Sequence, residues 1–173
     1  MNSFVSKFSN SLKDSKIEYK VVENVMDFRE RRNLLEISKF YGETFSIARK
    51  SIPDLPESGP EIGGFVEEWL TSKLSLEQDS FELRISKDYV GDSVMDRVKE
   101  GYKWKSWFML SSKYLNEAKY SFQGYIFLTV TKEKLYFVVF DEEGLKRLVY
   151  RKKIASNDRY HFYFGEANRW KFF

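Results

Sequence analysis

The sequence predicts an α/β fold with a mixed central sheet and a helical N-terminal region. Three observations carry that expectation. From Val22 to Lys50, the apolar residues Val25, Phe28, Leu34, Leu35, Ile37, Phe40, Tyr41 and Phe45 recur mostly at three- and four-residue intervals, the period of a helix face. All three prolines and three of the nine glycines fall in "SIPDLPESGPEIGG", which reads as a loop separating the front of the chain from the rest. Beyond Gln78 the pattern changes to strands, so the order is helices followed by a largely β region.

Each later element has its own signal. "PEIGGFVEEWLTSKLSL" sets Ile62, Phe65, Val66, Trp69, Leu70 and Leu74 at helical spacing, with Pro60 near the first turn and Glu61 placed to favour the helix dipole. "FELRIS" alternates Phe81, Leu83 and Ile85 with Glu82, Arg84 and Ser86, which predicts a half-buried strand. "YKWKSWFML" predicts another, with Tyr102 and Trp104 entering a core while Lys103 and Lys105 share the opposite face. "SSKYLNEAKYSF" reads as a loop with a short helix. "GYIFLTVTKEKLYFVVFDEE" gives two long strands joined near Thr131 to Lys134, too apolar to leave either face wet. A short helix in "DEEGLKRLVYRK" and a strand-like run in "DRYHFYFGEANRWKFF" complete the reading. The expected organisation is one domain over 1–173, with residues 1–50 as a helical front and 60–173 as the α/β core.

Composition removes several classes of chemistry. The absence of cysteine excludes thiol catalysis and thiolate-bound zinc, and the single histidine, His161, excludes a histidine-rich metal site within one chain. Any metal would rest on oxygen ligands. No apolar run approaches the roughly 20 residues that span a bilayer, and "MNSFVSKFSNSLKDS" lacks the apolar core of a signal peptide, so a cytoplasmic location is expected. "ESGPEIGG" lacks the spacing of a phosphate-binding glycine loop. Charge is segregated along the chain: Lys50 to Glu82 holds 2 basic and 8 acidic residues, whereas Leu145 to Phe173 holds 8 basic and 2 acidic. The basic segment also carries Tyr160, Phe162, Tyr163, Phe164 and Trp170, a composition suited to following a polyanion.

The stretch "GDSVMDRVKEGYKWKS", Gly91 to Ser106, resembles the acidic turn and following strand of the PD-(D/E)XK, or restriction-endonuclease-like, nucleases of the type II restriction enzyme kind. In that family an acidic helix precedes a strand and a turn bearing an Asp, and a later strand carries a carboxylate, one spacer and a lysine. The resemblance spans Pro60 to Val149 and implies a mixed central β-sheet flanked by helices. It implies Mg²⁺-dependent hydrolysis of duplex DNA, with Asp92 as metal ligand and Lys105 as catalytic lysine. Glu68 and Glu82 are further candidate metal ligands, beside Glu67 and Glu100. Lys103 departs from the pattern, because it stands where the family keeps its second carboxylate. An ammonium about 4 Å from the metal would cost roughly 4 kcal/mol per unit of metal charge at an effective dielectric near 20, so a single unit already matches the whole binding energy of a site of about millimolar affinity. Three explanations stay open: an enzyme inactivated at Lys103, a carboxylate supplied from elsewhere in the chain, or a coincidence of common residues in which "KWK" is a solvated strand face. The expected activity of this chain is weak or absent.

On the same reading, Lys113, Asn116, Lys119 and Gln123 follow the catalytic strand and are candidate DNA contacts. Arg151, Lys152, Lys153 and Arg159 form a second basic group able to reach phosphates. Cutting both strands of a duplex needs two active sites, so a homodimer is expected, with the helical front as its interface. The alternative is a non-catalytic module that binds nucleic acid or protein through the basic, aromatic C-terminal strands.

Overall fold

The computed structural model describes residues 3–22, 24–26, 41–57, 59–85, 105–120, 122–131, 133–149 and 158–166. In chain order these residues form helix α1 (Phe4–Asp14), strands β1 (Lys20–Val22), β2 (Asn24–Met26) and β3 (Glu43–Ala48), and a 3-10 turn at Arg49–Ser51. Helix α2 (Gly59–Ser72), strands β4 (Phe81–Ile85) and β5 (Lys105–Ser111), a helical turn at Lys113–Asn116 and a 3-10 turn at Ala118–Tyr120 follow. Strands β6 (Gly124–Val130) and β7 (Lys134–Asp141), helix α3 (Glu142–Val149) and strand β8 (Arg159–Glu166) complete the set. The fold is mixed α/β. A five-stranded sheet runs in the order β1-β3-β7-β6-β4 and a three-stranded sheet in the order β2-β8-β5. All strand pairs are antiparallel except β4 with β6, which makes the larger sheet mixed.

The β6–β7 hairpin is buried on both faces, as its uninterrupted apolar run requires. On one face Ile126, Leu128, Val130, Leu135, Phe137 and Val139 meet helices α1 and α2. Both helices answer with apolar residues at four-residue spacing: Phe4, Phe8 and Leu12 from α1, and Ile62, Val66 and Leu70 from α2. On the other face Tyr125, Phe127, Tyr136, Val138 and Phe140 pack against Phe108 and Leu110 of β5, Tyr160 and Phe162 of β8, and Leu145 of α3. One face of the central sheet is thus covered by helices and the other largely by a second sheet, where the sequence reading expects helices about a single sheet.

Helix α1 begins at Ser3, whose hydroxyl accepts the Ser6 amide at 3.1 Å, and Asp141 at the end of β7 accepts the Val5 amide at 2.9 Å. The helix lies so close to β6 that a Cβ at Gly124 would overlap the Phe4 ring. At its far end Ser15 donates its hydroxyl to the Lys73 carbonyl just beyond α2, at 2.9 Å, which ties the two helices together. Helix α1 falls within the helical front expected over residues 1–50, and Phe4, Phe8 and Leu12 show the helical interval.

The expected helix from Val22 to Lys50 is corrected in part: Val22, residues 24–26 and residues 43–48 are strand. Residues 27–40 lie outside the described residues. The physical reason lies in β3, which is paired on both edges, with β1 and β7, and buried on both sides. Thr44 and Ser46 are buried along with Phe45 and Ile47, so no wet face marks the strand. The apolar spacing that suggests one helix belongs to different elements. A strand enclosed in this way is also unavailable as the dimer surface expected of the front. Among the described residues no helix is long and apolar enough to cross a membrane.

Phe127 centres the second core, with ring centroids 5.1 Å from Phe108, 5.3 Å from Phe162 and 6.0 Å from Phe140. Phe127→Ala is expected to destabilise the protein by about 3–5 kcal/mol, read as a lower urea midpoint at unchanged slope. Val21, exposed on the edge strand β1, serves as the control: Val21→Thr should change stability by less than about 0.5 kcal/mol.

Candidate functional site

Because β4 and β6 run parallel, the chain must cross over between them rather than turn back directly. The last part of that crossover, the two turns from Lys113 to Tyr120, reaches the surface beside the β4 edge. Leu115 is its apolar anchor in the second core. A polar latch holds it as well. The Tyr125 hydroxyl, on β6, donates to the Tyr114 carbonyl at 2.9 Å and accepts the Phe122 amide at 3.3 Å. Burial is the main cause that pushes this phenol up to about 12, opposed by the Phe122 hydrogen bond and assisted by the nearby charges of Glu142 and Glu82. The hydroxyl therefore keeps its proton and its role as donor.

On this mount, cations and tyrosine rings interleave. Lys113 Nζ lies 5.3 Å from the centre of the Tyr114 ring and 4.7 Å from that of Tyr120, and Lys119 Nζ lies 5.0 Å from the Tyr120 ring. The Arg84 guanidinium, from β4, sits 5.3 Å from the Tyr114 ring. Exposed Arg159 opens β8 opposite Ser111, two residues before Lys113, and the Ser112 amide donates to the Asp158 carbonyl at 2.8 Å.

Next to this face lies a cleft of about 450 Å³ between α2 and β4, lined by Glu67, Glu68, Asp79, Glu82, Phe81 and Phe122. Glu82 and Arg84 stand two apart on β4 and approach to 3.7 Å, so the cleft and the cationic face share a boundary. The Phe122 ring, 6.0 Å from that of Tyr114, belongs to both. The carboxyl of Glu67 is raised above the usual glutamate range, first by burial, then by the charges of Glu82 and Asp79, with Arg84 opposing. Several carboxylates from separate elements thus share one cleft.

The sequence-derived candidates distribute unevenly over this geometry. Glu68 and Glu82 meet in the acidic cleft, and Lys113 and Lys119 meet on the Tyr120 ring. Asn116 is exposed at the end of the helical turn, its amide donating to the Ser112 carbonyl at 2.9 Å. Gln123 turns instead toward α1, where its side-chain oxygen accepts Lys7 Nζ at 3.5 Å in a separate cleft of about 290 Å³. Asp92, Glu100, Lys103, Arg151, Lys152 and Lys153 lie outside the described residues. Lys105 is the first residue of β5, opposite Gly165 of β8. The strand that leads toward Asp92 and the strand that begins at Lys105 belong to different sheets. Among the described residues no group of three or more His, Asp or Glu side chains is gathered closely enough to hold a metal ion. The donors described therefore do not make a Mg²⁺ site by themselves, and no chemical step is derived through the ion.

Arg84, Tyr114 and Tyr120 were not among the sequence candidates, yet they complete the face. The repeated Lys-Tyr pair, Lys113-Tyr114 and Lys119-Tyr120, is the sequence signal that points to them. The architecture defines a mixed α/β protein in which a cationic, aromatic surface adjoins a carboxylate-lined cleft. No protein-family model, curated protein or solved structure matches the chain.

The latch has a direct pH consequence. An unperturbed tyrosine titrates near about 10, and Tyr125 is raised to about 12, so the folded state holds this proton where the unfolded state has lost it. Its contribution to stability is fully present below about 10 and falls as the pH rises toward about 12. In a spectrophotometric titration Tyr125→Phe should lack the latest phenolate step. Its stability should also decline less steeply over that interval than that of the unaltered protein.

Proposed function

We propose that the protein binds nucleic acid through the cationic, aromatic face formed by Arg84, Lys113, Tyr114, Lys119, Tyr120 and Arg159. The observation that carries this reading is the sharing of one exposed tyrosine ring by two lysines on successive turns. Cations supply the sequence-independent attraction to phosphates, and aromatic rings supply apolar contact with bases. Lys119 and Tyr120 stand in an exposed stretch, Asn116 through Tyr120.

The test is titration of labelled DNA by fluorescence anisotropy across a range of salt. Lys113→Gln, Lys119→Gln and Arg159→Gln should each weaken binding and flatten the log Kd against log salt plot, by about 0.9 per lost phosphate contact on duplex and about 0.7 on single strands. Affinity independent of salt, or unchanged in all three variants, would remove the reading.

A second reading, hydrolysis of DNA, is favoured by the cleft in which Glu68 and Glu82 stand beside that face. It draws its remaining parts, Asp92, Lys103, Lys105 and Mg²⁺, from the resemblance to PD-(D/E)XK nucleases, and a homodimer would supply the second cut. Plasmid DNA incubated with the protein and with Lys103→Glu, in Mg²⁺ and separately in Mn²⁺, decides it. Cleavage by the Lys103→Glu protein alone would identify Lys103 as the inactivating residue. Cleavage by both would assign the second carboxylate elsewhere, with Glu82→Gln as the next variant. No cleavage under any condition removes the hydrolytic reading and leaves the salt titration to decide the binding one.

A further inference from the structure

We infer that Tyr120 is a stacking platform for an unpaired nucleobase, with Lys113 and Lys119 holding the phosphates on either side of that nucleotide. The inference rests on the nucleic-acid reading and adds to it the strand state of the ligand.

Three observations support the assignment. Tyr120 is one of three exposed large apolar side chains among the described residues, and it alone of the three carries cations on its ring, Lys113 Nζ at 4.7 Å and Lys119 Nζ at 5.0 Å. Ammonium groups on flexible stems bind exposed rings weakly and are strongly hydrated. A phosphate offers each of them a full negative charge, so an arriving strand draws the lysines to its backbone and leaves the ring face to a base.

The backbone that carries the ring is also held. The Tyr120 amide donates to the Glu117 carbonyl at 3.0 Å, and the Glu117 amide donates to the Lys113 carbonyl at 3.0 Å. On either side of Tyr120 in the chain, the Tyr114 carbonyl and the Phe122 amide are fastened to the single Tyr125 hydroxyl. The turn bearing the platform is therefore pinned at both ends, which lowers the ordering cost of binding.

The strand state follows from geometry of contact. In a duplex each base already stacks on its neighbours, and its flat face is withheld unless the base is unstacked. A tyrosine ring accepts any base by its flat face, so this site takes unpaired nucleotides without reading sequence. Tyr114 is less suited to that role, because it is only partly exposed and packs against the second core.

The experiment compares a labelled oligothymidylate with a duplex of the same length, titrated with the protein and with Tyr120→Ala and Tyr120→Phe, each checked for an unchanged melting temperature. Single strands should bind more tightly than duplex. Tyr120→Ala should weaken the single-strand complex by about ten- to a hundredfold, leave duplex affinity nearly unchanged, and be rescued by Tyr120→Phe. Equal losses on both ligands, or no loss on single strands, would overturn the platform. Binding of duplex but not of single strands would also overturn it while leaving the broader reading standing. Failure of both ligands to bind would remove the two together.

Discussion

The constraint on which the rest of the structure depends is the double-sided burial of the β6–β7 hairpin. From Tyr125 to Val130 and from Leu135 to Phe140 every side chain is buried, so neither face of the hairpin can be left to water. Each large apolar side chain enclosed in this way is worth about 1.5–3 kcal/mol, and that gain is realised only if cover is found on both sides. Helices α1 and α2 supply one cover, and β5, β8 and α3 supply the other. The layers around the sheet are the answer to that single demand.

The candidate surface is a by-product of the same arrangement. A parallel β4–β6 pair forces a crossover, and the crossover must bring its polar backbone to the surface while keeping contact with the core. Leu115 supplies the apolar contact. The Tyr125 hydroxyl needs partners once its ring is buried, and it finds them in the backbone of the crossover at Tyr114 and Phe122. Satisfying one buried hydroxyl therefore fixes the stretch that displays Lys113, Lys119 and Tyr120.

Charge gives the surface its asymmetry. In the neighbouring cleft Glu67 is raised first by burial and then by the carboxylates of Glu82 and Asp79, while Arg84 stands on the border, 3.7 Å from Glu82 and 5.3 Å from the Tyr114 ring. A polyanion is attracted to one side of that border and repelled from the other. The residues on which the nuclease resemblance turns, Asp92 and Lys103, lie outside the described residues.

What the sequence by itself determined is the local pattern where a single periodicity governs a segment. The α2 helix, the β4 alternation, the two apolar strands of the hairpin with their joint near Thr131, the α3 helix and the β8 strand were all legible, because burial of one stripe or of both faces leaves a direct mark on residue order. The strand nature of β3 was not, since an interior strand with Thr44 and Ser46 buried beside Phe45 and Ile47 shows no alternation of wet and dry. The candidate lysines of the crossover were legible as charges, but not as a common site. Only the tertiary structure decided that Arg84, from a strand distant in sequence, joins the tyrosines of the crossover, that Gln123 faces α1 instead, and that Glu68 and Glu82 share a cleft. Those outcomes follow from the parallel pairing of β4 with β6, which links residues far apart along the chain, and from the demand of the Tyr125 hydroxyl, whose partners lie three and eleven residues away; neither leaves a periodic trace in the sequence.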